Sequence, residues 1–191
     1  AITHTGSWNW DVGTDRMTWS GELMRIFGPQ PGDVDGTFAA YLARVHPEDR
    51  ARVQKTVQDA LISRQPWEST DRIVRADGAV RLLRTLGGVW TDPGGGVTSL
   101  YAACLDVTES QRRERIQLVQ HEITRVLVRA PDWPEAVAEA MRIVGETLDW
   151  VLGQMWTVDA DDVHMRVHGA WSKGDYDAFV EGSRSLRLAR G

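Results

Sequence analysis

The run Cys104-Leu105-Asp106-Val107-Thr108-Glu109-Ser110-Gln111-Arg112-Arg113-Glu114 passes from apolar and strand-like to charged and helical without a loop. Thr108 and Gln111 have the spacing of a capping box, in which the Thr hydroxyl accepts from the backbone N–H of the third helical residue and the Gln reaches back. The last strand of one domain is therefore expected to drive directly into a helix. A junction with no flexible linker hands strand movement to whatever the helix carries, which suits signalling better than catalysis.

Upstream of this run the pattern is mixed. Trp8 and Trp10 alternate with Ser7, Asn9 and Asp11, the period of a half-buried strand, and Arg16 to Trp19 reads as a second one. Ser20 is placed to cap a short helix carrying Leu23, Met24, Ile26 and Phe27, which Gly28-Pro29 stops. Pro31 to Gly36 reads as a loop, and Phe38, Leu42 and Val45 mark another short helix. His46-Pro47-Glu48-Asp49 opens a longer one. Pro fits the first turn, the two acids complement the helix dipole, and Val53, Val57, Ala60 and Leu61 share a face.

Three strand candidates follow: about Trp67 to Arg75, Val80 to Trp90 and Val97 to Val107. Asp77-Gly78 between the first two predicts a two-residue hairpin turn with positive φ at both central positions. Asp92-Pro93-Gly94-Gly95-Gly96 predicts another turn. Segregated helices and hairpin-linked strands indicate an α+β fold with an antiparallel sheet.

Downstream, Glu109 to Ala130 is helical. Ile116, Val119, Ile123, Val126 and Ala130 step by three and four, the seam of a paired helix. Pro131 and Pro134 break it, and a second helix carries Ala136, Val137, Ala140, Met141, Val144 and Leu148. Val151 to Val158 and Val163 to Trp171 read as strands joined by a turn at Asp159 to Asp162, and Arg184 to Gly191 as a last strand.

Composition narrows the function. A chain of 191 residues, 42% hydrophobic, holds one large domain or two small ones. Its net charge of −5 lacks the basic footprint of a nucleic-acid binder. No stretch approaches the roughly 20 apolar residues that span a bilayer. The opening Ala1-Ile2-Thr3-His4 is not a signal peptide and reads as the start of an excised fragment. The single Cys104 excludes an intrachain disulfide and fits a reducing cytoplasm. Nine Trp, several at strand positions, point to large rings filling a core against a sheet.

The ordered set Gly6-Ser7-Trp8-Asn9-Trp10-Asp11, Trp19-Ser20, His46-Pro47-Glu48-Asp49, Arg72-Ile73-Val74-Arg75-Ala76-Asp77-Gly78 with Arg81, and Asp106-Val107-Thr108-Glu109 resembles the PAS sensor family. The likeness is to the subclass opening with Gly-x-Trp-x-Trp-Asp. It covers about residues 6–110 and implies a five-stranded antiparallel sheet with helices over one face and room for a small-molecule ligand between them. Residues 116–191 are similar in order and pattern to the first half of a GAF domain, truncated here. The expected organisation is a PAS domain over 1–108, a connecting signalling helix over 109–130 and a partial GAF module over 131–191.

PAS-then-GAF order resembles bacterial sensor kinases and phosphatases. The resemblance implies a sensory fragment, not an enzyme on its own, that regulates a downstream effector in a larger signalling protein of the two-component kind. Asp106, Thr108 and Glu109 are the expected signal relay. Ile116, Val119, Ile123 and Val126 are the expected seam of a homodimer. The expected setting is cytoplasmic, without nucleic acid or membrane.

Other residue sets are weaker. His121-Glu122 is similar to the start of a histidine-kinase phosphoacceptor box, but Ile123-Thr124-Arg125-Val126-Leu127 follows where a Pro is usual, and no ATP-binding segment appears. A phosphoacceptor helix is thus the rival function, and a purely structural PAS dimerisation module a third. His164 and His168 lie on an alternating strand, about 13 Å apart at ~3.3 Å per residue, too far to share a metal ion, with Arg166 between them. His46 precedes a Pro, against a haem ligand. Cys104 lacks the Asn-Cys-Arg motif of flavin photoreceptors. Neither flavin nor haem is expected. Asp159, Asp161 and Asp162 lack the rest of a calcium loop, and the turn explains them. Gly94-Gly95-Gly96 precedes a strand, not the helix N-terminus that a phosphate cradle needs.

Overall fold

The alternation of Trp8 and Trp10 with polar residues becomes an interior strand of a sheet. The structure is a computed structural model and describes residues 5–28, 36–130, 132–159 and 163–189. In chain order the first elements are β1 (Thr5–Asp11), β2 (Arg16–Trp19), α1 (Gly21–Phe27), α2 (Phe38–Arg44), a 3-10 turn (Pro47–Asp49), α3 (Arg50–Ser63), β3 (Trp67–Val74), β4 (Val80–Thr91) and β5 (Val97–Asp106). The sheet order is β2-β1-β5-β4-β3, every pair antiparallel. The chain then continues through α4 (Thr108–Arg129), α5 (Trp133–Leu148), β6 (Leu152–Val158), β7 (His164–Ser172), α6 (Asp177–Arg184) and β8 (Leu188–Ala189). The fold is α+β, a five-stranded antiparallel sheet with helices, followed by a second small sheet, β6-β7-β8. Two compact units divide between Gln111 and Arg112.

In the first unit the strands alternate. Trp8, Trp10, Leu83, Leu100, Ala102 and Cys104 face one side and are buried with Leu23, Phe27, Tyr41, Val53 and Val57 from the helices. That is the half-buried antiparallel pattern, apolar toward the helices, while the outward face mixes polar residues with the exposed Leu86, Trp90 and Tyr101. Ser20 caps α1 as expected, its Oγ accepting from Leu23 N at 3.2 Å, and Gly28 ends the helix at φ 83°. The loop expected over Pro31–Gly36 lies outside the described residues, Gly36 apart.

The Asp77-Gly78 turn departs from expectation. Gly78 N donates to Arg75 O and Arg75 N to Ala79 O, and only Gly78 has positive φ, 80°. The loop therefore has three residues, a β-turn followed by a glycine in the left-handed region, instead of a two-residue loop. Asp92–Gly96 repeats the arrangement, with Gly95 at φ 83°.

In the second unit, α5 lies on the β6–β7 sheet. A Cβ at Gly145 would stand 2.3 Å from Trp171, so only glycine lets the helix approach that ring. Asp132 caps α5 by accepting from Glu135 N, and Pro134 sits in the first turn. The strand expected over Arg184–Gly191 is corrected. Asp177–Arg184 is helical, with Val180 and Ser183 buried, and among the described residues of this stretch only Leu188–Ala189 pairs, with β7. Pro131, Asp161, Asp162 and Gly191 lie outside the described residues.

Candidate functional site: the strand-to-helix joint and the core behind it

Between β4 and β5 the ladder pairs Leu83 with Asp106, so the next pair is Leu82 with Val107. Val107 N donates to Leu82 O at 2.9 Å. The reciprocal bond from Leu82 N cannot go to Val107 O, because that carbonyl has already turned into α4, where it accepts from Gln111 N and Ser110 Oγ. Thr108 Oγ1 replaces it, accepting from Leu82 N at 2.8 Å. One side chain thus extends the sheet ladder by one bond after the backbone has become helical. This corrects the capping box: the Thr108 hydroxyl faces β4, and Gln111 N makes an ordinary helical bond.

Asp106 locks the same hydroxyl. Its Oδ1 accepts from Thr108 N at 3.0 Å and from Thr108 Oγ1 at 2.5 Å. The Thr108 hydroxyl therefore donates to the carboxylate and accepts from Leu82, satisfying both capacities. Arg81 Nη1 stands 4.0 Å from Asp106 Oδ2 on the adjacent strand. Of the expected relay residues, Asp106 and Thr108 are thus in direct contact and half-buried, while Glu109 is exposed in the first turn of α4.

The expected seam divides. Val119 is buried and Ile123 and Val126 are half-buried, whereas Ile116 is 39% exposed. His121 is exposed on α4. His164 and His168 lie on β7, as expected. No group of three or more metal-ligating side chains occurs among the described residues. No described helix is long and apolar enough to cross a membrane.

Behind the joint, two residues back along β5, Cys104 faces the core. Burial pushes its thiol up to about 11, and Thr85 Oγ1 lies 3.7 Å from its sulfur. It is a small core residue without thiolate character. Tyr41 is buried nearby, and desolvation raises its phenol well above the ordinary range, with Cys104 and Asp71 adding to the effect.

The His46-Pro47-Glu48-Asp49 element fastens this core to β3. Asp49 is buried and takes a forked contact from Arg72, Oδ1 to Nη2 at 2.6 Å and Oδ2 to Nε at 3.1 Å, and also accepts from Arg72 N. The Arg72 hydrogen bond holds the Asp49 carboxyl well below the usual carboxylate range. Arg52 bridges onward, 3.4 Å from Asp49 and 2.5 Å from the buried Asp71. Glu48 and Asp49 stand in the first turn, as expected, and both also bind Arg72 of β3. The sequence signal was available in the alternating charges Arg72 and Asp49, but not their pairing.

Residues 16–103 match the family model described as the PAS fold. The first unit is a PAS domain. Over 131 residues the chain is 26% identical to a probable diguanylate cyclase of Escherichia coli (strain K12), an alignment spanning 64% of this chain and 12% of that protein. It is 24% identical to the sensor protein FixL of Bradyrhizobium diazoefficiens, over 66% of this chain and 25% of FixL. The chain thus spans a minor part of the curated relatives it matches. Among solved structures, a sensory box histidine kinase/response regulator of Burkholderia thailandensis E264 superposes with a TM-score of 0.52 at 24% identity, over 64% of this chain and 92% of that one. The N-terminal domain of a Marinobacter aquaeolei diguanylate cyclase with PAS/PAC sensor gives 0.52 at 19%, over 56% and 98%. These likenesses carry the PAS fold; the joint at Asp106–Thr108 lies just past the matched segment, where the PAS sheet ends.

Proposed function

We infer that this chain is the sensory and relay part of a larger signalling protein. The PAS domain responds to a small ligand or partner. The Asp106–Thr108 joint passes the response into α4. The helix pairs with that of a second copy and shifts to regulate a downstream effector. The opening Gly6–Asp11 motif supports reading the PAS domain as one of the Gly-x-Trp-x-Trp-Asp subclass. The second unit, α5 over an antiparallel sheet, is read as the first part of a GAF module.

One observation carries this reading: Leu82 N–H bonds to the hydroxyl of the first residue of α4. A shift of β4 against β5 therefore reaches the helix through a hydrogen bond with no slack residue between them. A ligand moves such an equilibrium only by its differential affinity for the two arrangements. That the curated relatives are a probable cyclase and a sensor protein supports an output domain elsewhere in the parent.

Sedimentation tests the output half. At tens of micromolar the chain should run as a dimer, and Ile123→Glu, which sets two carboxylates in one apolar seam, should run as a folded monomer. A monomeric wild type removes paired-helix output. Loss of the second unit's fold at unchanged mass would assign the stripe to packing within one chain.

A further inference from the structure

Tyr41 is the hub of a ring cluster in the PAS domain. Its ring centroid lies 5.9 Å from Trp8, 6.2 Å from Trp19, 6.1 Å from Phe27 and 6.2 Å from Phe38. Trp8 comes from β1, Trp19 from β2 and Phe27 from α1. Tyr41 is 3% exposed and is the one fully buried residue of the seven-residue α2. A short helix thus inserts a single phenol into a box whose other walls belong largely to the sheet and α1.

The box is not wholly apolar. The indole Nε1 atoms of Trp8 and Trp19 are buried and have no hydrogen-bond partner among the described residues. Trp8 Nε1 lies beside the Cys104 sulfur without a conventional hydrogen bond. A buried N–H left unpaired loses its hydration with no return, so native cores seldom keep one, let alone two in one cluster. The nearby carboxylate, Asp71, is already engaged by Ser69 Oγ at 2.6 Å and by Arg52. The Tyr41 hydroxyl, an acceptor held inside the box, pairs neither indole.

We propose that Tyr41 is a built-in occupant of a ligand site, and that the ligand it displaces to admit is an uncharged planar aromatic of phenol size bearing an acceptor oxygen. A ring replacing a ring keeps the tilted and edge contacts that aromatic clusters favour. The oxygen pairs an indole N–H that Tyr41 leaves unsatisfied. The Asp71 carboxylate disfavours an anionic ligand at this depth. Tyr41 and α2 move outward together, since α2 has no other fully buried anchor. Because the competent state is only partly populated, the plug weakens apparent affinity by the fraction of time the box is open. The inference rests on the sensory reading above and gives its ligand a chemical class.

The test uses the whole chain with p-cresol and toluene, read by calorimetry. Wild type should bind p-cresol at one site per chain, and Tyr41→Ala should bind it at least tenfold more tightly. Toluene should bind each at least tenfold more weakly. Equal affinity for the two compounds overturns the acceptor role. Binding by Tyr41→Ala with none by wild type makes Tyr41 an ordinary core residue, and a folded variant that gains nothing removes the site. If Tyr41→Ala does not fold, Tyr41→Leu holds α2 down with apolar bulk and frees part of the space, and the same tightening is required of it. Amide exchange at Val107–Gln111 separates the two claims. Binding without a change there keeps the ligand site and sinks the relay. No binding sinks the ligand site and leaves the relay standing on the joint itself.

Discussion

The hydroxyl of Thr108 accepts a 2.8 Å hydrogen bond from the backbone of Leu82, twenty-six residues earlier on the neighbouring strand. It does so because the carbonyl that the ladder calls for, on Val107, has been drawn into the first turn of α4. The side chain therefore belongs to the sheet and its backbone to the helix.

Replacing Thr108 with Val keeps the shape and removes the acceptor. Leu82 N–H is then left unpaired in a half-buried place, a loss of about 1–3 kcal/mol. Thr108→Ser should recover most of it. Denaturant unfolding of both variants checks this, and a Val variant as stable as wild type would mean that water replaces the hydroxyl.

Acid stability should depend on Asp49. Arg72 holds its folded pKa below the unfolded value of about 3.9. A depressed carboxylate contributes stability that is complete above the unfolded pKa and is lost as pH falls through the folded one. Asp49→Asn should therefore lower the melting temperature near neutral pH and flatten its fall below about pH 4. Parallel curves for the two proteins between pH 2 and 6 would contradict the assignment.

Gly78 holds φ 80° with open space where a side chain would sit. A substitution there meets backbone strain alone. Gly78→Val should cost about 1–3 kcal/mol, and Gly78→Asn clearly less, because Asn tolerates the left-handed region. Equal losses would point to a lost contact instead.

Much of this was legible in local chemistry. Ser20 three residues before Leu23, the apolar face of α3 and the step of three and four along α4 are short-range signals, and each element stands where they put it. The Asp-Gly pair marked its turn, but its loop length is set by the pairing of Arg75 with Ala79. What failed was long-range. Thr108 looked like a cap because its partner lies on another strand. Tyr41 sits on the same helical face as Phe38 and Leu42, and nothing local distinguishes it as the residue that enters the ring box. Helix α6 holds Gly182 and has no side-chain cap, so neither a strong propensity nor a start signal announced it.

The central claim is that the PAS sheet and α4 are coupled through this one hydroxyl. Amide hydrogen exchange along Glu109–Arg129 in wild type and in Thr108→Val measures the coupling directly. The account predicts faster exchange in the first turns of α4 in the variant, with β1 and the buried part of β5 still protected and Thr108→Ser like wild type. Unchanged exchange in α4, in a Thr108→Val protein whose β4 end has loosened around Leu82, would contradict it.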